Sequence, residues 1–308
     1  MSRIFEALER VRGRVHHRES SPADPAPVKD ERSPEAVAPP AVQDRAAASE
    51  PPKAAPVLRS TSSLISIVRS EQVKLLEDAP LFPFDGSDPG AAEQYKIART
   101  KILRHFIKPR SLVVSSAQVG DGKSISAINL AGCLALKANT TVLLVDADMR
   151  RSCLAGLLGV PSAPGLSDVL AGRCAPEEAI FRLAPLGGLY FLPCGDRPAN
   201  PAELLDSPNW RDFAARLRRE FAFVLFDAPP VGLVADYDLI QDVADGIILV
   251  ARPDHTNRTL CLKTIESVPQ EKLIGLLLNC VSDWFLTRPL ARHYDYYYGG
   301  SEGGTKSE

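Results

Sequence analysis

Short runs of consecutive apolar residues alternate with longer stretches of helical spacing in the chain after residue 82. Strands that are apolar on both faces are typical of a mostly parallel sheet covered by helices on both sides. The pattern therefore predicts an α/β domain with a doubly wound, mostly parallel sheet. The predicted strands are Leu112–Val114, Val142–Val145, Leu189–Leu192, Phe223–Phe226, Ile247–Val250 and Leu273–Leu278.

The part of the chain before this pattern has a different composition. Residues 21–57 are rich in proline and alanine with mixed charges, and no Phe, Trp or Tyr occurs between Glu6 and Leu81. Such a segment cannot bury enough apolar surface to offset the entropy lost on folding. We therefore predict a disordered linker over residues 18–81 and a folded domain over residues 82–290.

The first residues carry apolar side chains at helical spacing, including Ile4, Phe5 and Leu8, with arginines around them. This predicts a short amphipathic helix over residues 1–17, which either docks on a partner or membrane surface or has no binding role. A weaker apolar patch, residues 64–76, either does the same or leads into the domain.

Charge and hydropathy narrow the function classes. Lys and Arg number 36 against 38 Asp and Glu, for a net charge of −2, which argues against a general nucleic-acid binder. No apolar run approaches the ~18 residues of a bilayer span, and the start lacks the apolar core of a secretory signal. We therefore expect a cytoplasmic protein. The cysteines and histidines lack metal-ligand spacing, which predicts reduced thiols and no metal site of that kind.

A glycine-rich turn follows the first predicted strand. Gly120 and Gly122 free the backbone to wrap an anion, and Lys123 adds positive charge. Ser124 opens a helix to about residue 138, and its hydroxyl can ligate the metal of a bound triphosphate. Ala117 stands where the first motif glycine is expected, but strand, turn and helix occur in the required order. The predicted nucleotide-binding loop comprises Gly120, Asp121, Gly122, Lys123, Ser124 and Ile125.

Carboxylates stand at the ends of two other predicted strands. The second strand leads into Asp146 and Asp148, and the fourth leads into Asp227. Acidic groups at strand tips beside a phosphate loop are placed to hold a divalent cation directly or through water, as Mg²⁺ prefers. We predict that Ser124, Asp146 and Asp227 hold Mg²⁺, with Asp148 in a supporting role.

These elements resemble the bacterial tyrosine kinases (BY-kinases) of capsule and exopolysaccharide export. VLLVDADMRR looks like the Walker A′ segment of that family, FAFVLFDAPPV looks like its Walker B, and LPCGDRPANPAELLDS is similar to a further family segment. The resemblance covers about Glu93 to Asn279. It implies a P-loop NTPase fold of the MinD and ParA type, ATP and Mg²⁺ as donor and cofactor, and acceptor tyrosines in the protein's own tail.

Phosphoryl transfer to a tyrosine suggests roles for individual residues, which we state as a hypothesis. Asp146 is the candidate base for the tyrosine proton, and Lys123 with the loop amides offsets phosphate charge. Asp227 and Ser124 coordinate the magnesium ion, while Asp148 holds the water shell of the ion. Asn279 resembles a position that contacts the adenine base, although an asparagine after a strand is also a common turn residue.

Two flanking segments support the same family. Glu93, Lys96 and Arg99 resemble its Glu-x-x-Arg-x-x-Arg oligomerisation motif, with lysine in the middle position, and their spacing puts them close to one helix face. This predicts a homo-oligomer, including a ring; the alternative is a solvated charged face.

The tail, residues 291–308, holds tyrosines clustered before glycine-rich residues, which is typical of an exposed, flexible end. It predicts phospho-acceptors, and the alternative is an incidental or adhesive tail. The candidate acceptors are Tyr294, Tyr296, Tyr297 and Tyr298.

The resemblance further implies a separate membrane adaptor that recruits the protein to the inner face of the plasma membrane. Two other functions stay open. A ParA/MinD-type ATPase switch shares the architecture, but it carries a second lysine early in the P-loop, and none occurs between Ser111 and Gly122. A non-catalytic, nucleotide-binding scaffold of the export machinery is the other alternative, against which the retained lysine and acids argue.

Overall fold

The computed structural model describes residues 65, 68–72, 88–184 and 186–281. Every described residue lies in the part of the chain from residue 55 onward. The predicted helix over residues 1–17, most of the predicted linker and the tyrosine-rich tail lie outside the described residues.

The described strands and helices follow one another in the alternating order that the apolar runs predicted. The strands are β1 (Arg69–Gln72), β2 (Ser111–Ser116), β3 (Val142–Asp146), β4 (Phe181–Ala184), β5 (Leu189–Leu192), β6 (Phe223–Asp227), β7 (Gly246–Ala251) and β8 (Leu273–Leu278). The helices are α1 (Pro89–Leu103), α2 (Lys123–Ala135), α3 (Leu154–Leu158), α4 (Leu166–Leu170), α5 (Pro176–Ala179), α6 (Pro201–Leu205), α7 (Pro208–Glu220), α8 (Asp236–Asp242) and α9 (Arg258–Ser267).

These strands form a single sheet in the order β1-β4-β5-β3-β6-β2-β7-β8. Neighbouring strands are parallel except for the antiparallel pair β4 and β5. The predicted doubly wound, mostly parallel α/β fold is therefore confirmed. Its order places β3, β6 and β2 side by side, so the chain segments that follow these strands meet at one edge of the sheet. We call this edge the carboxyl edge and the opposite one the amino edge.

Strand β1 corrects the predicted linker over residues 69–72. These residues pair in parallel with β4, whereas the sequence placed them in the disordered segment. Their side chains are polar and mostly exposed because β1 lies at the edge of the sheet and pairs on one side only. A search for apolar runs detects strands that are buried on both faces and misses an edge strand of this kind.

The sheet is buried between helices on both faces. Helices α1 and α2 pack on one face over a cluster that includes Leu112, Ile128 and Leu144. On the other, Trp210 of α7 is fully buried and meets the ring of Phe226 edge to face at 5.5 Å. This close packing fixes the ends of β3 and β6 relative to the loop after β2. Within the described residues, no helix is long and apolar enough to cross a membrane.

Candidate active site

The loop between β2 and α2, which we call the P-loop, has the conformation of an anion-binding turn. Gly120 and Gly122 adopt left-handed backbone angles, with φ of 92° and 90°. A side chain at Gly122 would displace the amide of Asn279, and the left-handed conformation itself favours glycine at this position. Gly122 is also the N-cap of α2 and contributes no side chain to cap it. The first amides of α2 are therefore available to an anion such as a phosphate.

Lys123 and Ser124, the first two residues of α2, meet the acid at the end of β6. The Ser124 hydroxyl donates to Asp227 Oδ2 at 2.6 Å, and Lys123 Nζ lies 3.4 Å from Asp227 Oδ1. Asp227 is fully buried, and burial raises its pKa, while the Lys123 charge acts to lower it. Burial acts to lower the pKa of Lys123, but Asp227 and then Asp148 outweigh it, so the lysine is held as an ammonium ion.

Asp148 also contacts this lysine, with Oδ2 at 2.9 Å from Lys123 Nζ. The carboxylate is almost completely buried, and its Oδ1 accepts from the backbone N–H of Arg151 at 3.0 Å. Asp148 thus makes a direct ion pair with Lys123. Its predicted hold on a metal water shell remains a prediction.

Asp146 ends β3 directly opposite Asp227 in the parallel register. Its Oδ2 accepts from the Ser152 hydroxyl at 2.8 Å and from the Leu154 N–H at 3.2 Å. Its Oδ1 is buried and has no hydrogen-bond partner within the described part of the chain. Burial, followed by the charge of Asp227, raises the pKa of Asp146 to about 7. A carboxyl group with this pKa and one open oxygen can accept a proton near neutral pH.

The composition of the cluster fits Mg²⁺. Two carboxylates, Asp148 and Asp227, share the Lys123 ammonium ion. Asp146, opposite Asp227, adds a third acid with a buried oxygen that has no hydrogen-bond partner among the described residues, so a divalent cation would offset the excess negative charge. The described residues contain no ready-made group of three or more His, Cys, Asp or Glu ligands. Mg²⁺ commonly uses one or two protein ligands and completes its shell with water and substrate phosphates. Ser124, Asp227 and Asp146 are the residues that would hold it.

The loop after β7 contacts the loop between β2 and α2, and no sequence motif predicted this contact. Thr256 donates to Asp121 Oδ1 at 2.6 Å, and His255 Nε2 lies 3.0 Å from the Val119 carbonyl oxygen. Asn279, after β8, donates to the Asp121 carbonyl at 3.0 Å. The structure therefore brings Asn279 to the nucleotide loop. Because β7 is parallel to β2, its carboxyl end could have marked this loop as a candidate.

Glu93, Lys96 and Arg99 lie on α1, away from the carboxylate cluster. Lys96 pairs with Glu93 at 2.9 Å, as their spacing predicts. Arg99 instead donates to the carbonyl oxygen of Cys133 at 3.1 Å, near the end of α2. Among the described residues, Glu93 and Lys96 therefore pair with each other, whereas Arg99 is bonded to the end of α2. Their role in self-association stays a prediction, as does the acceptor role of the tail tyrosines.

Comparison with known proteins decides the family. Tyrosine-protein kinase YwqD of Bacillus subtilis is 32% identical over 215 residues, which cover 68% of this chain and 87% of that protein. This chain belongs to the bacterial tyrosine kinases. Tyrosine-protein kinase CpsD of Streptococcus agalactiae serotype Ia is 31% identical over 194 residues, covering 62% of this chain and 83% of that kinase. No protein-family model matches the chain.

Solved kinase structures share the fold of this bacterial tyrosine kinase family member. The BceF tyrosine kinase domain is 31% identical with a TM-score of 0.57, and the match covers 70% of this chain and 84% of that domain. The VpsO kinase domain is 28% identical with a TM-score of 0.57, and the match covers 62% of this chain and 95% of that domain. The predicted resemblance and the P-loop NTPase fold are thus confirmed at the level of family and fold.

Proposed function

We propose that this protein is an ATP-dependent protein-tyrosine autokinase that modifies the tyrosines of its own tail. The observation that carries the proposal is the group of contacts between P-loop residues and strand-end acids at the carboxyl edge. Lys123 contacts Asp148 and Asp227, and Ser124 contacts Asp227. Asp146 lies opposite Asp227 in the strand register and has a buried oxygen without a hydrogen-bond partner among the described residues. Burial and the charge of Asp227 raise the pKa of Asp146 to about 7, and raised carboxyl pKa values of this kind cluster at sites of proton transfer.

The proposed chemistry is transfer of the γ-phosphoryl group of ATP to a phenolic oxygen. A tyrosine hydroxyl has a pKa near 10, so its proton must be removed as the new bond forms. Asp146 Oδ1 takes that proton while the tyrosine oxygen bonds to the γ-phosphorus and the bond to the β–γ bridging oxygen breaks, releasing ADP. Lys123 and the amides at the start of α2 stabilise the negative charge of the phosphates. Ser124 and Asp227 would hold Mg²⁺, which when bound would supply charge neutralisation and alignment of the phosphates.

We further propose that the transfer occurs in trans, between copies of the chain, within a cytoplasmic homo-oligomer that a membrane adaptor recruits for exopolysaccharide polymerisation and export. The named kinase relatives support the activity class. The tyrosine cluster at residues 294–298 supports the acceptor. Each phosphate adds about −1.5 to −2 charges, so we expect phosphorylated copies to repel and the assembly to dissociate.

The test is incubation of the purified full-length protein with MgATP, followed by mapping of phosphate by mass spectrometry. We expect phosphotyrosine within residues 294–298, and we expect Lys123→Met to abolish it because the ammonium at the phosphate loop is lost. Lys263→Met is the matched control, since Lys263 is an exposed lysine on α9. Folding of each variant is checked by thermal unfolding.

The outcomes separate the three functions that the sequence left open. Release of ADP and inorganic phosphate without phosphotyrosine would establish the ATPase switch instead. Nucleotide binding without either product would establish the scaffold. Tail phosphotyrosine that persists in Lys123→Met would contradict the proposed site. Mixing inactive Lys123→Met with active chains that lack the tail tests transfer in trans, and unmodified Lys123→Met tails would contradict it.

A further inference from the structure

The turn between α1 and β2 lies at the amino edge of the sheet. Strand β2 begins there at Ser111 and ends beside the P-loop, so the whole length of the strand separates the turn from the candidate active site. Two backbone hydrogen bonds shape the turn, from the His105 N–H to the Ile102 carbonyl at 3.1 Å and from the Lys108 N–H to the His105 carbonyl at 3.0 Å. Lys108 adopts a left-handed conformation with φ of 51°. The tip of the turn therefore has a defined shape.

Phe106 is at the tip and is 77% exposed, more than any other large apolar side chain among the described residues. Its ring is tilted by 33° relative to the ring of His105, with ring centroids 4.6 Å apart. A single exposed apolar side chain is ordinary on a protein surface and indicates nothing alone. The charges around this one distinguish it.

The segment around Phe106 is strongly cationic. No Asp or Glu occurs between Glu93 and Asp121. Six basic residues occur there, namely Lys96, Arg99, Lys101, Arg104, Lys108 and Arg110. Lys101, Arg104 and Lys108 are exposed, and within the described residues no carboxylate pairs with these three side chains.

Neighbouring elements extend this cationic surface. The Arg110 guanidinium donates to the Phe221 carbonyl at 3.0 Å, which ties the turn to the chain just before β6. Arg219, at the end of α7, is exposed close to that point. The nearby acid Asp245 is already paired with Arg218 at 2.6 Å and accepts from backbone amides. The contacts of Asp245 are therefore with Arg218 and with the backbone of the turn, and none is with the side chain of Lys101, Arg104 or Lys108.

We propose that this turn docks on the anionic surface of a lipid bilayer, with Phe106 entering the headgroup region. Lys and Arg side chains near an anionic membrane are attracted by its surface potential, and an aromatic ring is favoured at the headgroup level. Neither signal alone gives stable binding, but the combination of charge and apolar insertion does. In this orientation the carboxyl edge, with the P-loop, faces away from the membrane. The inference does not depend on the proposed kinase activity.

The first experiment is co-sedimentation of the full-length protein with phosphatidylcholine vesicles, with and without phosphatidylglycerol. We expect binding only to the anionic vesicles, weakening as salt is raised. Phe106→Ser and Lys108→Glu should each reduce the partition coefficient about fivefold or more. Leu233→Ser and Lys263→Glu are the matched controls, because these side chains are exposed on other parts of the described surface. Equal binding of all variants would overturn the proposal.

A second experiment reports on the turn itself, because residues 1–17 could also bind vesicles. Phe106→Trp places a fluorophore at the tip, and the wild-type chain, with its two tryptophans, is the blank. We expect a blue shift on anionic vesicles and quenching by brominated lipids that exceeds the blank. An absent signal difference would overturn the proposal. Binding of the same surface to DNA in place of vesicles, or altered self-association of Phe106→Ser without lipid, would also overturn it.

Discussion

The ends of β3 and β6 carry the same residue type at the same height in the sheet, but their surroundings differ. Asp227 on β6 receives a hydroxyl hydrogen bond at 2.6 Å and an ammonium ion at 3.4 Å. Asp146 on β3 receives only neutral donors on one oxygen and none on the other within the described residues. The cause is topological, because β6 adjoins the P-loop strand and β3 lies one strand further away. Position in the sheet thus determines which acid shares the Lys123 ammonium and which stays available for a proton.

The largest expected effect comes from removing the carboxylate of Asp146, whose Oδ1 has no hydrogen-bond partner among the described residues. Asp146→Asn keeps the size of the side chain and can still accept from Ser152 and Leu154, but it cannot take the tyrosine proton. We expect the autophosphorylation rate to fall about 10²- to 10⁴-fold, the usual contribution of general acid–base catalysis. Nucleotide affinity should change much less. Single-turnover phosphotyrosine formation measures the rate, and a loss below tenfold would argue against Asp146 as the base.

Replacing Asp227 and replacing Asp146 should change the free energy of unfolding in opposite directions. Asp227→Asn removes an ionic partner of Lys123, and we expect the free energy of unfolding to fall by about 2 kcal/mol. Asp146→Asn removes a buried charge that repels Asp227, and we expect a gain of about 1 kcal/mol. Urea unfolding without nucleotide or Mg²⁺ measures both. If both variants lost equal stability, the contrast between the strand ends would be wrong.

Most of the sheet could be predicted because its strands are apolar on both faces. The six predicted runs are strands. Because parallel strands end at the same edge of a sheet, the sequence also indicated that Asp146, Asp148 and Asp227 lie at one edge with Lys123. Strands β1 and β4 were missed for a physical reason. Both lie at the margin of the sheet, where β1 is mostly exposed and β4 alternates buried and exposed side chains, so neither forms a continuous apolar run.

Pairing within the site could not be read from the sequence. The chain shows that a lysine and several acids meet, but the choice of Asp148 as the nearest partner of Lys123 depends on the turn after β3. The contact of Thr256 with Asp121 joins residues far apart in the chain. No short sequence motif encodes this contact. Contacts of this kind depend on loop conformations that sheet topology limits but does not specify.

The pH dependence of magnesium binding should sharpen the comparison further. The pKa of Asp146 is raised to about 7, so its carboxyl group becomes protonated as the pH falls below neutrality. A proton there opposes a bound cation, and we expect the apparent Mg²⁺ affinity, measured calorimetrically with ADP, to weaken up to about tenfold per pH unit between pH 7 and 5. Asp146→Asn should flatten the profile to that of ADP itself. An unchanged profile in this variant would assign the dependence to another group.

The smallest expected effect lies outside the strand ends, in the loop after β7. Thr256→Val deletes the hydroxyl that donates to Asp121 at 2.6 Å and accepts from the Arg252 N–H at 2.7 Å. The P-loop then loses one external support, while the contacts of Lys123 and Asp227 are left in place. We expect nucleotide affinity to fall about fivefold, equivalent to one net hydrogen bond, with the rate at saturating ATP nearly unchanged. Thr259→Val, at an exposed position of α9, is the control in a fluorescent-nucleotide titration. A loss of rate without a loss of affinity would show that Thr256 acts on the transfer step, and the distinction between the strand ends and their supporting loop would then fail.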